Sequence, residues 1–372
     1  MKKLKEYLLS ISLIVIVSLI FIIDVFNEDK IFSNYENRSL ALKPDFYYSN
    51  FISGRYFKNY ERYINDQFLF RNIWINIKSA SEFILGKKEN NGIIYGDNNY
   101  LFDKFDSIDE YNLNKNINTL KDFILDSNLK FNIMIIPESF SIYKELLPLG
   151  INLVDEIEYI KNIDKEFSNI KNCKSINLID TLVNNKDNYI YYKTDHHWTS
   201  FGAYLAYKEF AYMNNIKPIE INNLNENIVN GFRGTYFSKS KNFNVEDDYI
   251  VYYDTPNIEV EIDGTVVDGL NDESKWSSSD KYSAFLRGNN GVTIIKNTLV
   301  KDKSKILVIK DSYANSFIQF LINNYAEVLV VDLRSFVGSF NEFYKINNFD
   351  EVLVLYSFKN LVNDVDISRI KY

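Results

Sequence analysis

Between residues 305 and 322 a run of branched aliphatics gives way to a helical repeat across two polar residues, and no other stretch restricts the fold as much. Lys305-Ile306-Leu307-Val308-Ile309-Lys310 has the composition of a short buried strand. Asp311-Ser312 follow, and Tyr313 to Ile322 place apolar groups at roughly helical spacing. The same alternation recurs along the chain. Residues 114–129 look helical and 131–136 form an apolar run ended by Pro137. A helix over 156–167 leads to a strand near 175–179, and a helix over 201–213 has Thr199-Ser200 as its cap. Strands are expected around 327–331 and 352–356. Short apolar strands alternating with helices predict an α/β protein with a parallel sheet flanked by helices. Between 231 and about 300 polar and apolar residues alternate, as in Tyr249-Ile250-Val251-Tyr252-Tyr253, which predicts antiparallel hairpins inserted into that core. Residues 55–85 carry a helical pattern, and the Asn/Gly-rich turns between 90 and 102 signal a hairpin.

Ser312 falls on the turn at the carboxyl end of a strand, where sites form in open α/β sheets. A hydroxyl at the start of a helix also lies near backbone N–H groups able to stabilise a developing oxyanion. By itself such a serine, or Asp311 before it, is as well explained as a helix cap. The chemical case comes from elsewhere. Only two histidines occur in 372 residues, and they are adjacent, in Tyr192-Lys193-Thr194-Asp195-His196-His197-Trp198-Thr199. Near neutral pH an imidazole takes and returns protons, and a carboxylate fixes its tautomer. On an extended segment positions i and i+2 share one side. That would group Asp195 with His197 and turn His196 away. Ser312, His197 and Asp195 then supply a nucleophile, a base and its orienting acid, the residue types of serine acyl transfer.

Other readings stay open. An Asp-His-His cluster also suits a metal, but such sites need three or more converging ligands. There is no third histidine, and the single cysteine, Cys173, is remote in sequence, so no metal and no cofactor are expected. A purely structural role for both histidines is the other alternative. His196 is expected to pack or orient its loop, and Trp198 to pack or to wall a cleft. Tyr313 adjoins the nucleophile and either shapes the pocket or belongs to the core. The turn Arg287-Gly288-Asn289-Asn290-Gly291 makes Asn289 a candidate oxyanion donor, and Arg233-Gly234-Thr235 has the same standing, although most such turns are only turns. Asn289, Tyr313, Trp198 and His196 thus form the candidate oxyanion or substrate-binding set.

Asp195-His196-His197-Trp198 resembles the signature of the DHHW family. That family is similar to the alginate O-acetylation proteins of the SGNH-hydrolase-like superfamily. Their pattern is an Asp-x-His-Trp segment followed much later by a serine in a strand–turn–helix, matched here by Asp195, His197, Trp198 and then Ser312. Ordinary SGNH hydrolases place the serine first. Glu36-Asn37-Arg38, Asp66-Gln67-Phe68-Leu69-Phe70-Arg71 and Pro137-Glu138-Ser139 extend the likeness, while Lys310 stands where a glycine often precedes the Asp-Ser pair. The resemblance implies an SGNH-hydrolase-like catalytic domain over 55–372. It implies a serine-dependent O-acetyltransferase carrying acetyl through an acyl-serine to a hydroxyl of an exported or cell-surface polysaccharide. A polytopic membrane-bound O-acyltransferase is the implied partner and acyl donor, with residues from about 27 to 71 as contacts. A carbohydrate esterase or deacetylase with the same triad, and a non-catalytic scaffold of an envelope polysaccharide machine, remain the alternative functions.

At the N-terminus Lys2, Lys3 and Lys5 precede an apolar run from Tyr7 to Ile23, interrupted by Ser10, Ser12 and Ser18 and followed by Asp24. This order predicts a transmembrane helix, with 1–26 as a single-pass signal anchor, the N-terminus cytoplasmic and the remainder extracellular. A cleaved signal peptide has the same order of charge and apolarity, but no small-x-small site follows the run. Residues 27–54 are expected to form a stalk. A hydrophobic content of 46% with 16% aromatic residues excludes disorder. A net charge of −8, with no basic stripe, argues against nucleic acid as a partner. One cysteine leaves no internal disulfide.

Overall fold

The strands expected from apolar runs come together in one eight-stranded sheet in the computed structural model, which describes residues 2–372. In chain order they are β1 (Lys130–Ile136), β2 (Cys173–Ser175), β3 (Glu259–Ile262), β4 (Thr265–Val267), β5 (Val292–Lys296), β6 (Lys305–Lys310), β7 (Glu327–Val331) and β8 (Glu351–Ser357). Across the sheet the order is β4-β3-β5-β7-β6-β8-β1-β2. From β7 to β2 every pairing is parallel. β5 joins β7 antiparallel, and β3 and β4 continue antiparallel beyond it.

The sheet is therefore mixed, which corrects the expectation of a parallel sheet, while the expected antiparallel hairpins form: Glu226–Phe232 pairs with Asp248–Tyr253 in a separate two-stranded sheet, and β3 pairs with β4. Three strands from the 231–300 region extend the edge of the same sheet. Burial explains both the pattern and its misreading. Central β6 and β8 are buried on both faces beyond their first residue and read as continuous apolar runs. In β5 only Thr293 and Ile295 are buried, so it alternates as a one-faced strand does.

Helices cover the sheet: α1 (Glu110–Leu125), α2 (Glu156–Ser168), α3 (Ser200–Met213) and α4 (Ala314–Leu321). All eight residues of α4 are buried, and the Phe317 ring meets those of Tyr207 and Phe210 on α3. α3 starts where the sequence places it, with Thr199 Oγ1 accepting from the Gly202 N–H at 3.3 Å.

The chain divides into two compact units at Lys87/Lys88, so the expected domain start at 55 lies inside the first. That first unit holds a helix over Lys2–Phe26, an antiparallel pair Phe32–Ser33 with Arg38–Ser39, and helices Tyr48–Ile52, Arg55–Gln67 and Arg71–Ile84. Two of its sequence motifs meet in space. Arg38 Nη1 donates to Asp66 Oδ2 at 2.9 Å, and Arg71 Nη2 donates to Glu36 Oε1 at 3.0 Å. Asp66 also accepts from the Ala41 N–H at 2.8 Å.

Among the described residues no helix is long and apolar enough to cross a membrane. The expected membrane-spanning anchor over 1–26 is corrected accordingly. Ser10, Ser12 and Ser18 interrupt the apolar run, and Asp24, which follows it within the helix, accepts from the Leu69 N–H at 3.0 Å. The side chains of Lys2, Lys3 and Lys5 lie outside the described residues.

Candidate active site

Asp195 and His197 sit in a tight loop closed by an antiparallel bridge between Tyr191 and Trp198, not on an extended segment. The Tyr192 N–H donates to the His197 carbonyl at 3.2 Å across that bridge. Asp248, from the region after 231, secures the loop. Its carboxylate accepts from the backbone N–H groups of Lys193 at 3.0 Å and Thr194 at 2.7 Å, and from Tyr189 Oη at 2.5 Å. The pairing of Asp195 with His197 thus arises from a bend, which also brings His196 into the cluster. The His196 and His197 ring centroids are 3.7 Å apart.

The three candidate catalytic residues stand in series. Asp195 Oδ1 lies 2.6 Å from His197 Nδ1 and also accepts the His197 backbone N–H at 3.0 Å. With Nδ1 donating to Asp195, Nε2 is left to accept from Ser312 Oγ at 2.7 Å. Asp195 Oδ2 is held separately, by the Thr235 N–H at 2.7 Å and Thr235 Oγ1 at 3.0 Å. Ser312 keeps 9% of its surface accessible, while Asp195 keeps 2%. The nucleophile can be reached and its orienting acid cannot.

The turn that presents Ser312 is braced from several sides. Asp311 Oδ1 accepts from the Tyr313 N–H at 2.9 Å, and its Oδ2 accepts from the Ser357 N–H and Asn360 Nδ2, each at 2.7 Å. Trp198 Nε1 donates to the Tyr313 carbonyl and to Ser316 Oγ, each at 3.0 Å. Tyr282 lies flat against His197, with centroids 3.7 Å apart and planes at 10°, and its Oη donates to the Ser312 carbonyl at 3.1 Å. Lys310 is buried and donates to Asn289 Oδ1 at 2.7 Å, Asn315 Oδ1 at 2.8 Å and Asp332 Oδ2 at 3.3 Å.

The electrostatics favour a neutral base. Burial first, and the neighbouring His196 second, push His197 down to about 3 against the pull of Asp195. Burial works against the charge of Asp195, but the two histidines hold its carboxyl well below the usual range. Burial also opposes a charged His196, yet Asp195 raises it above an ordinary imidazole. Burial pulls the Lys310 ammonium down to about 8 despite Asp332.

The second-rank candidates fare unevenly. Trp198 has no exposed surface, so it braces the turn and walls no cleft. Tyr313 is equally buried, with Oη donating to Glu138 Oε2 at 3.2 Å and to the His196 carbonyl. Asn289 reaches the site through Lys310 and Asn315, which occupy its Oδ1 and leave its amide nitrogen. His196 donates from Nδ1 to Thr235 Oγ1 at 2.7 Å rather than facing away. The expected backbone donors at the start of α4 are mostly engaged: Tyr313 N–H by Asp311 Oδ1, Ala314 N–H by the Asp311 carbonyl and Asn315 N–H by the Ser312 carbonyl. Among the described residues the Ser312 N–H is the one left unpaired in that turn. One ligand atom each from Asp195, His196 and His197 lies within 4.8 Å of the others. Both ring nitrogens of His197 are already engaged, so a cation would have to break the Ser312 contact.

A serine, an imidazole and a carboxylate linked at the carboxyl end of a parallel strand define a Ser–His–Asp constellation on an α/β sheet. The family model described as DHHW protein matches residues 86–331, and the chain belongs to that family. Solved structures similar to it include a DHHW family protein from Eubacterium siraeum, with 24% identity and a TM-score of 0.64, covering 76% of this chain and 96% of that one. Bacillus cereus PatB1 with a sulfonyl adduct has 20% identity and a TM-score of 0.62, covering 75% and 98%. The O-acetyltransferase domain of Pseudomonas putida AlgJ has 14% identity and a TM-score of 0.50, covering 74% and 94%. At these identities the likeness shows the fold. No curated protein matches the sequence.

Proposed function

We propose that the protein is an O-acetyltransferase that moves an acetyl group through an acyl-serine at Ser312 to a hydroxyl of an exported or cell-surface polysaccharide. The observation that carries the reading is the 2.7 Å contact of Ser312 Oγ with a His197 ring whose other nitrogen is bound to Asp195 at 2.6 Å. Ser312 Oγ attacks the acyl carbonyl as its proton passes to His197 Nε2. Asp195 stabilises the imidazolium, and the Ser312 N–H and Asn289 Nδ2 donate to the oxyanion. Collapse expels the donor's leaving group, which takes the proton from His197. The acceptor hydroxyl then gives its proton to His197, attacks the acyl-serine and releases Ser312, which recovers that proton.

Support comes from the DHHW family and from a fold shared with the O-acetyltransferase domain of AlgJ and with PatB1, which carries a sulfonyl adduct. The polysaccharide acceptor, the action outside the cytoplasm and a polytopic membrane-bound O-acyltransferase as donor, contacting residues from about 27 to 71, belong to the same proposal. To test it, the purified chain receives a chromogenic acetyl ester with and without oligosaccharides, and acetylated sugar is measured by mass spectrometry. Transfer that disappears in Ser312→Ala and His197→Ala is expected. Acetate release with no acetylated sugar would make the protein an esterase. Full activity of Ser312→Ala in cells would make it a scaffold.

A further inference from the structure

We infer that a cavity of about 210 Å³ beside the two histidines is a subsite for an anionic substituent, carboxylate or phosphate, on the acceptor sugar. The inference rests on the acyltransferase reading above and deepens it by naming the acceptor's chemistry.

The cavity carries polar groups that nothing among the described residues uses. His196 lines it, and because Nδ1 donates to Thr235 Oγ1 at 2.7 Å, Nε2 is the nitrogen left without a partner among the described residues, and it donates when the ring is the imidazolium that Asp195 favours. Tyr236 also lines it. That residue is 1% exposed, and its phenol Oη has no hydrogen-bond partner among the described residues. A buried unpaired hydroxyl is costly and calls for a ligand or ordered water. Lys239 adds an exposed ammonium with no acidic partner among the described residues.

The two acids in the wall offset this surplus only in part. Asp103 is paired with Lys359. Glu138 is buried, takes a hydrogen bond from Tyr313 Oη at 3.2 Å, and is pushed up to about 7 by burial. With His196 as the imidazolium, what remains is a set of N–H and O–H donors beside the Lys239 ammonium, the complement of an oxyanion. On a chain of net charge −8 such a spot is a local exception, which suits recognition of one group rather than general attraction of a polyanion.

Its position gives the subsite a chemical consequence. His196 is in ring contact with His197 at 3.7 Å between centroids. An anion on the His196 side favours the imidazolium there, and that charge keeps His197 neutral and ready for the Ser312 proton.

The test uses the full chain as Ser312→Ala, which binds without turnover, alongside the unsubstituted protein. Glucuronic acid, glucose 6-phosphate, glucose, acetate and inorganic phosphate are titrated and followed by calorimetry. One or both acidic sugars are expected to bind about tenfold or more tighter than glucose, equally in both proteins, and whichever binds identifies carboxylate or phosphate as the group read. Lys239→Met, an exposed substitution that leaves the fold intact, is expected to erase most of that preference. Equal binding of glucose, or an unchanged preference in Lys239→Met, overturns the inference. So does binding of acetate or phosphate alone as tightly as the acidic sugars, because the site would then read no sugar. Failure of acyl transfer leaves this binding contrast measurable, so the two failures are distinguishable.

Discussion

A methyl group on Gly234 would stand 2.2 Å from Asp195 Cβ and 2.3 Å from its Oδ2, closer than real side chains approach. Gly234 has a negative φ that any residue adopts, so the position selects glycine for space alone. The next residue, Thr235, supplies two of the donors that fix Asp195. Gly234→Ala is therefore expected to shift the carboxylate and, through it, the His197 ring, while the chain still folds. Misplacement on that scale lowers acylation by about 10²-fold. The rate of Ser312 labelling by a sulfonyl fluoride, read against an unchanged circular dichroism spectrum, checks this. An unchanged labelling rate would show that Asp195 does not orient the base.

Trp198 ties its own loop to the nucleophile turn through one indole N–H shared between the Tyr313 carbonyl and Ser316 Oγ. Trp198→Phe removes that donor from both buried oxygens, of which Ser316 Oγ keeps only its 3.3 Å contact with Tyr282 Oη, a loss of about 1–3 kcal/mol. The urea midpoint should fall with the slope unchanged. Acylation should slow too, because the turn would lose its brace.

Much of this was legible in the chain, for reasons that can be stated residue by residue. β6, the turn and α4 are visible because a strand covered on both faces leaves an unbroken aliphatic run, and because the polar pair Asp311-Ser312 interrupts it sharply. Asp195 and His197 are visible by type and spacing, although the spacing worked through a bend and not through strand alternation. Asp248 and Tyr282 were not legible as site residues, and Thr235 only as part of a turn with the standing of a candidate oxyanion donor. Each acts across 30 to 59 positions of sequence, and only the tertiary pairing brings it to the site. The turn at 233–235 was visible as a turn, but nothing in its letters shows that it faces Asp195. The mixed sheet was hidden likewise, since a one-faced edge strand and a free hairpin have the same alternation.

Lys310 occupies a place where its bulk and charge need a reason, and its three acceptors supply one: Asn289, Asn315 and Asp332 come from three different segments. Only the ammonium form donates to all of them. Burial lowers its pKa from 10.5 to about 8, so the proton leaves as pH rises through that value, well before an exposed lysine would lose it. Acyl transfer is expected to decline on the alkaline side around pH 8. Lys310→Met should start from a lower rate and lack that limb. Asp332 keeps its bonds from Arg334 Nε at 2.8 Å and Nη2 at 2.6 Å, so the substitution does not strand a buried charge.

On the acid side His197 sets the behaviour. Its neutral form is the base, and burial together with the charge of His196 holds its pKa near about 3, against 6.5 for an ordinary imidazole. As pH falls, an ordinary histidine would lose half its base form at 6.5, whereas here the base persists well below that. The rate of Ser312 labelling by a sulfonyl fluoride should therefore stay level from about pH 7 down to about pH 5, without an inflection near an unperturbed histidine value. His196→Asn removes the second-largest of the causes that lower it, leaving burial and the smaller effect of Lys310, so the pKa of His197 should rise and an acid limb should move into the measured range. Burial remains in that variant and keeps the new limb below 6.5. An inflection at 6.5 in the unsubstituted protein, or identical profiles for the two, would mean that His196 does not control the charge of its neighbour.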